Sequence, residues 1–281
     1  MTTVKPMTIT ITLLGTGNPL PDPLRAGPAT LVKAGGSNIV IDAGRGVLQR
    51  LMAAGVPPLA ISAVLLTHLH SDHITDLNDI VTCHWFFSQT PTPLRIYGPP
   101  RTKEMVAGMM AMLQPDVEYR MNHHASLSWA PILEVVEVAP GDRFVVGDAA
   151  VIVAATDHRP VEPTVAFRIE HDGKSVVLGG DGIPCDSLDV LCQGADAYVQ
   201  TVIRDEVIRM IPSERIQDVL DYHSTVGQAA ETAARANVKT LVLTHFVPPL
   251  QPGAEEEWLA LARAHFTGEI VLGPDLTSVA L

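Results

Sequence analysis

The sequence predicts an α+β protein in which two β-sheets pack against each other and helices cover their outer faces. Three observations lead there. Apolar runs of strand length dominate both halves of the 281-residue chain, short helical patterns punctuate them, and no linker or internal repeat separates the β-rich parts, roughly 7–100 and 130–281. A single domain spanning 1–281 is expected. An apolar fraction of 47%, with only 21 Gly and 22 Pro, sets the chain apart from disordered compositions.

Residues 7–14 (MTITITLL) alternate apolar residues with Thr and run into Gly15-Thr16-Gly17-Asn18-Pro19, a strand ending in a tight loop. Thr30–Lys33 and Asn38–Asp42, with Gly35-Gly36 between them, read as a hairpin. Val47, Leu48, Leu51 and Met52 recur at helical spacing before Gly55 and the Pro57-Pro58 pair. Ile61–Thr67 is a buried strand, 74–89 a helix or loop, Leu94–Tyr97 a strand and Thr102–Leu113 a Met-rich helix whose methionines pack a core edge. Beyond an irregular stretch come strands at Ile132–Val138, Arg143–Val146, Val151–Ala155, Thr164–Ile169, Ser175–Leu178, Ala197–Val202 and Thr240–Leu243. Helical patterns fall at Leu188–Cys192, Thr225–Ala236 and Glu255–His265.

A formal net charge of −12, scattered along the chain, disfavours a broad phosphate-binding surface, so nucleic acid is not the expected partner. Cys83, Cys185 and Cys192 form no C-x-x-C pair, which points to a reducing compartment rather than a disulfide framework. The first residues lack a signal peptide's apolar stretch, and no window nears the roughly 20 apolar residues needed to cross a bilayer. A soluble, cytoplasmic protein is expected.

The chemistry concentrates in Thr67-His68-Leu69-His70-Ser71-Asp72-His73, where four candidate ligands follow a buried strand. Imidazole and carboxylate suit zinc and other borderline divalent ions, and the spacing lets His68 and His70 face one ion while Asp72 and His73 reach a second. Further candidates stand at other strand ends: Asp157-His158, Gly179-Gly180-Asp181 and Thr244-His245. An apolar strand delivering a ligand to the loop at its end is one design repeated, and rigid scaffolds usually hold functional residues in such loops.

On these residues the chain resembles the metallo-β-lactamase-fold hydrolases, and within them the ribonuclease Z and arylsulfatase branch. The family's H-x-H-x-D-H matches His68, His70, Asp72 and His73, its third metal histidine resembles His158, its bridging aspartate matches Asp181, and its last metal histidine matches His245. Similarity extends through Leu14-Gly15-Thr16-Gly17, Ile41-Asp42-Ala43-Gly44, Ile96-Tyr97-Gly98-Pro99-Pro100 and His223-Ser224-Thr225. The resemblance implies an αββα four-layer sandwich holding two metals, one on His68, His70 and His158, the other on Asp72, His73 and His245, with Asp181 bridging. Two Zn2+ ions are expected, with Mn2+ or Fe2+ as alternative occupants. Such a pair lowers the pKa of a bridging water and clamps the attacking and leaving oxygens. Asp72 and His223 are the catalytic candidates, His223 by analogy with the family's His-Ser-Thr histidine. Asp42 is expected to orient a metal histidine from behind.

Two departures shape the functional expectation. Ribonuclease Z proteins carry a long tRNA-gripping arm between the third histidine and the bridging aspartate, whereas 23 positions separate His158 from Asp181. The family's His-Glu-Ala segment has no match either; the region reads Tyr198-Val199-Gln200-Thr201-Val202, with Asp205 and Glu206 the nearest acids. The expected function is therefore a dinuclear metal hydrolase of a small ester, a phosphodiester or aryl sulfate first. A lactonase or carboxylic-ester hydrolase is the alternative, favoured if residues 83–90 line a roomy apolar pocket, and tRNA 3′-end cleavage ranks third. The expected partner is a small-molecule ester, and a homodimer would be ordinary for the fold.

Overall fold

The structure, a computed structural model, describes residues 9–281. Met7 and Thr8, the start of the first predicted strand, lie outside the described residues. Strands β1 (Ile9–Gly15), β2 (Ala29–Ala34), β3 (Ser37–Ile41), β4 (Ala63–Leu65), β5 (Leu94–Gly98) and β6 (Leu133–Glu137) form the first sheet. Strands β7 (Arg143–Val146), β8 (Ala149–Ala155), β9 (Val165–His171), β10 (Lys174–Leu178), β11 (Ala197–Ile203), β12 (Thr240–Val247) and β13 (Glu269–Val271) form the second. The last strand, β14 (Ser278–Ala280), returns to the first sheet beside β1.

Each sheet is antiparallel at one side and parallel at the other. In the first, β1, β2 and β3 pair antiparallel while β3 to β6 run parallel; in the second, β7 to β10 pair antiparallel while β10 to β13 run parallel. The carboxyl ends of β3, β4, β8 and β10 lead into Asp42, the 67–73 segment, His158 and Asp181, and β12 carries His245 near its own carboxyl end, so one rim of the sandwich collects the candidate residues. Open sheets with parallel strands bind ligands at that rim.

The inner faces close on one apolar layer that includes Ile11, Leu13, Val32, Ile39, Val151, Val153, Phe167 and Val176. Helices α1 (Val47–Ala53), α2 (Ser71–Ile74), α3 (Leu77–Phe86) and α4 (Thr102–His123) belong to the first half, and α1, α3 and α4 cover the outer face of its sheet. Helices α5 (Asp186–Cys192), α6 (Asp205–Ile208), α7 (Glu214–Gln217), α8 (Val226–Arg235) and α9 (Glu255–Arg263) follow, and α5, α8 and α9 cover the second. At roughly 1.5–3 kcal/mol for each fully buried aliphatic side chain, these three layers dominate the stabilisation. The αββα expectation holds. Because both faces of each sheet are covered, even Thr12 of β1 is buried, its hydroxyl bonded to Ser278 Oγ of β14 at 2.8 Å.

Several boundaries differ from the sequence reading. The sheets divide between β6 and β7, and the chain's end crosses back to the first sheet, which the split at 130 did not foresee. The strand predicted at 61–67 shortens to Ala63–Leu65, because Asp42 captures the backbone N–H of Thr67 and draws the chain out of the sheet. Helix α4 continues through Pro115 to His123; proline forfeits one helical bond, and it falls where little of the helix is buried. Met105, Met109 and Met110 pack against the sheet as expected, while Met112 is exposed. No helix among the described residues is long and apolar enough to cross a membrane.

Candidate metal centre

Asp42 organises the floor of the site. At φ 61° it occupies the left-handed region that few residues other than glycine adopt without a local hydrogen bond. Its Oδ1 accepts the Thr67 N–H at 2.8 Å, and its Oδ2 accepts the Thr67 hydroxyl at 2.9 Å and the His73 Nδ1 proton at 2.9 Å. Nearby, Gly44 lies so close to the 67–73 loop that a Cβ there would sit 2.6 Å from the Asp72 carbonyl. Across the sandwich, Gly180 turns at φ 67° to present Asp181, and a Cβ would meet that of Thr67 at 2.9 Å.

The structure brings the seven candidate ligands together in two groups, His68, His70, His158 and Asp181, and Asp72, His73 and His245; within each group the donor atoms lie within 4.8 Å of one another. His70 Nδ1 lies 3.1 Å from His68 Nε2 and 3.4 Å from His158 Nε2. In the other group His245 Nε2 lies 3.3 Å, and His73 Nε2 3.7 Å, from Asp72 Oδ2. Asp181 Oδ2 stands between them, 3.7 Å from His68 Nε2 and 3.4 Å from His73 Nε2. Donors about 2.0–2.1 Å from one tetrahedral ion are separated by roughly 3.3 Å, so the residues present fit metal ions. Buried His73 Nε2 and Asp181 Oδ1 have no hydrogen-bond partner among the described residues, as expected of atoms that await an ion.

Electrostatics separate the groups. Burial would raise the Asp181 carboxyl, but the imidazoles of His245, His73 and His223 hold it well below the usual carboxylate range. Burial would lower His73, yet the carboxylates of Asp181 and Asp42 raise it well above an ordinary histidine. Burial dominates for His68, which is lowered, and for His158, lowered to about 4. These two stay neutral, the form that ligates a metal.

His223 joins the centre without belonging to either group. Its Nε2 lies 3.2 Å from Asp181 Oδ2, and its Nδ1 lies 3.2 Å from the Val219 carbonyl. The acid at 3.2 Å from His223 is thus Asp181, and the nearest acids of the region where the sequence suggested a missing partner are engaged elsewhere: Glu206 pairs with Arg204 and Asp205 with Arg209, while Gln200 and Thr201 both donate to the Gly180 carbonyl. A cleft of about 340 Å³ opens on His70, Asp72, Asp181, His223 and His245. Its far wall is apolar, built by Ile208, Ile211, Ile216, Val219 and Tyr222. Residues 83–90, whose lining of such a pocket would have favoured a lactonase, are not in it; they run from the end of α3, where Trp85 is buried with Nε1 bonded to the Trp129 carbonyl. The wall segment and Asn18 escaped the sequence reading, for 204–222 folds into single turns without periodicity, and its one signal was adjacency to His223.

Residues 37–246 match the family model described as "Beta-lactamase superfamily domain". Among curated relatives, a ribonuclease Z of Mycobacterium bovis is 54% identical over 271 residues, covering 96% of this chain and 97% of its own, and one of Mycolicibacterium paratuberculosis is 53% identical over 273 residues, covering 96% and 98%. Among solved structures, the metallo-β-lactamase fold protein YhfI of Bacillus subtilis aligns with TM-score 0.77 at 22% identity over 96% of this chain and 98% of that one. Human tRNase Z, short form, aligns with TM-score 0.70 at 23% identity over the same shares, a likeness of fold. These relatives correct two expectations, a small ester as the substrate and nucleic acid as a disfavoured partner. The inference from the short 158–181 connection fails because the mycobacterial relatives are almost wholly covered by this chain and bear the ribonuclease name at that length. Inference from net charge fails because a whole-chain sum does not describe the field inside a cleft built to hold cations. The chain belongs to the β-lactamase superfamily and, within it, to the ribonuclease Z family of hydrolases.

Proposed function

We propose that the protein is a metal-dependent endoribonuclease that cuts precursor tRNA at the 3′ end of the mature sequence. The observation that carries this reading is the pair of ligand groups, with Asp181 of the first standing 3.4 Å from His73 of the second, in a chain 54% identical to a ribonuclease Z along nearly its whole length. His68, His70 and His158 would hold one ion, Asp72, His73 and His245 the other, with Asp181 between them. Two bound divalent cations, zinc first, supply Lewis acidity and lower the pKa of the attacking water. His223 would hold its Nδ1 proton on the Val219 carbonyl and turn Nε2 to the departing oxygen. Ile208, Ile211, Val219 and Tyr222 offer apolar faces to an unpaired base beside the scissile phosphate. A cytoplasmic setting accords with the cysteines, all of them free.

The test is a precursor tRNA bearing a 3′ trailer, incubated at physiological salt with metal-reconstituted protein. A single cut at the trailer junction, abolished by chelation and restored by Zn2+, is expected. Hydrolysis of a nitrophenyl phosphodiester with the precursor left intact would overturn the reading.

A further inference from the structure

Three of the buried imidazoles in the metal centre are fixed by a hydrogen bond on the ring nitrogen that faces away from it. His68 Nδ1 lies 3.0 Å from Thr67 Oγ1, His73 Nδ1 lies 2.9 Å from Asp42 Oδ2, and His158 Nδ1 lies 2.8 Å from the Tyr222 carbonyl. His245 is the exception. Its Nδ1 is buried without a partner among the described residues, although its Nε2 is aimed at Asp72 and Asp181, 3.3 and 3.6 Å away. Such bonds normally set the tautomer and direction of a metal-binding histidine, so here the direction has to come from the main chain.

The main chain is unusual at that residue. His245 takes φ 52°, a left-handed conformation that persists in a residue with a Cβ only where the surroundings impose it. The loop that follows β1 holds the next residue. The Phe246 N–H donates to the Thr16 carbonyl at 3.2 Å, and the Asn18 side-chain amide donates to the Phe246 carbonyl. Both polar groups of the residue after His245 are thus taken by residues 16–18. Asn18 is 4% exposed, and its Oδ1 accepts the Leu20 N–H at 2.9 Å, which fixes the amide in the orientation that donates to Phe246. The loop is anchored in turn by Asp275, whose carboxylate accepts Thr16 N–H, Thr16 Oγ1 and Ala26 N–H.

We infer that Asn18 is a positioning residue for the metal centre: by holding the Phe246 carbonyl it fixes the left-handed turn at His245 and so aims that imidazole at the Asp72–His73 group. The inference rests on the ligand assignment made under the proposed function. It gives the Gly15-Thr16-Gly17-Asn18 segment a function 227 positions from the ligand it steers.

The experiment titrates metal-free wild type, Asn18→Ala, Asn18→Ser and His245→Ala with Co2+, reading the visible ligand-field bands, and records thermal melting of each metal-free protein. Serine retains an oxygen that can accept the Leu20 N–H but has no donor long enough to reach Phe246. Both Asn18 variants should bind one equivalent as the wild type does and the other about 10–100-fold more weakly. His245→Ala should lose that same equivalent. Wild-type titration by both Asn18 variants would overturn the inference. So would normal binding by Asn18→Ser beside weak binding by Asn18→Ala, which would assign the effect to the Leu20 turn, or an equal loss of both equivalents with a lower melting temperature. If His245→Ala retains both equivalents, the ligand assignment falls and this inference with it; two normal equivalents in the Asn18 variants alone would leave the assignment standing.

Discussion

The Asp42 carboxylate sits 2.9 Å from His73 Nδ1, and through the hydroxyl of Thr67, 3.0 Å from His68 Nδ1, it also braces a histidine of the other ligand group. One buried acid therefore orients a candidate ligand for each ion. Asp42→Ala should weaken both metals by about 10–100-fold although it removes no ligand. Asp42→Asn, which tolerates the left-handed backbone and retains part of the bonding, should fall between. Equilibrium dialysis against Zn2+ checks the order, and equal binding by wild type and Asp42→Ala would refute it.

The centre was legible where local sequence dictates local geometry. His68, His70, Asp72 and His73 stand on the loop and first turn of α2 that follow β4, His158 and Asp181 come shortly after β8 and β10, and His245 lies near the end of β12, so apolar strands and their ends pointed to them. The holding groups were less visible. Asn18 reaches His245 through a backbone carbonyl, a contact that any residue could offer and no side-chain pattern encodes. The cleft wall at 205–222 is made of single helical turns, too short for periodicity to register, and β13 and β14 have three residues each. Substrate class was misread for a different reason: the spacing of one connection, His158 to Asp181, and a net charge summed over the whole chain were asked to report on the surface that meets the substrate.

Asp181 should couple the two ions. Its Oδ2 lies within 4.0 Å of the Nε2 atoms of five histidines: His68, His73, His158, His223 and His245. Removing this carboxylate leaves two cations without the charge between them. Asp181→Ala is expected to retain one ion or fewer per chain by elemental analysis, with cleavage of precursor tRNA lost. Two ions and an unchanged rate would show that the carboxylate does not bridge.

Asp196 tests the scaffold apart from the metals. Its Oδ2 accepts the Ser175 N–H at 3.0 Å and its Oδ1 meets Lys239 and Lys174 at 2.7 and 3.2 Å, tying the starts of β10, β11 and β12. Burial would raise this carboxyl, but Lys239, the Ser175 N–H and Lys174 together hold it below its ordinary value. A carboxyl that is more acidic folded than unfolded contributes stability above the unfolded value, near 3.8, and loses it as the pH falls through the folded one. Since both lysines are partly solvated, Asp196→Ala should cost only about 1–2 kcal/mol at pH 7. The difference from wild type should shrink below about pH 4. Denaturant unfolding at matched metal content measures it, and a pH-independent difference would exclude the ionised carboxylate as its source.

His223→Ala separates catalysis from metal binding. The side chain touches Asp181 through Nε2 and the Val219 carbonyl through Nδ1, and it belongs to neither ligand group. The neighbouring contact that supports His158 is made by the Tyr222 main-chain carbonyl, which a side-chain change at 223 leaves in place. Metal content should therefore stay at the wild-type level. Loss of a positioned proton donor or of an oxyanion contact typically slows turnover by about 10²–10⁴-fold, and that is the expected drop for precursor tRNA. A substrate whose leaving group is a nitrophenolate needs little help from an acid, so its hydrolysis should suffer far less if His223 donates a proton. If His223 instead stabilises charge on the phosphoryl oxygens, both substrates should slow alike. A fall in metal content that tracks the rate would make His223 a ligand and redraw the boundary between the residues that bind and the residue that reacts.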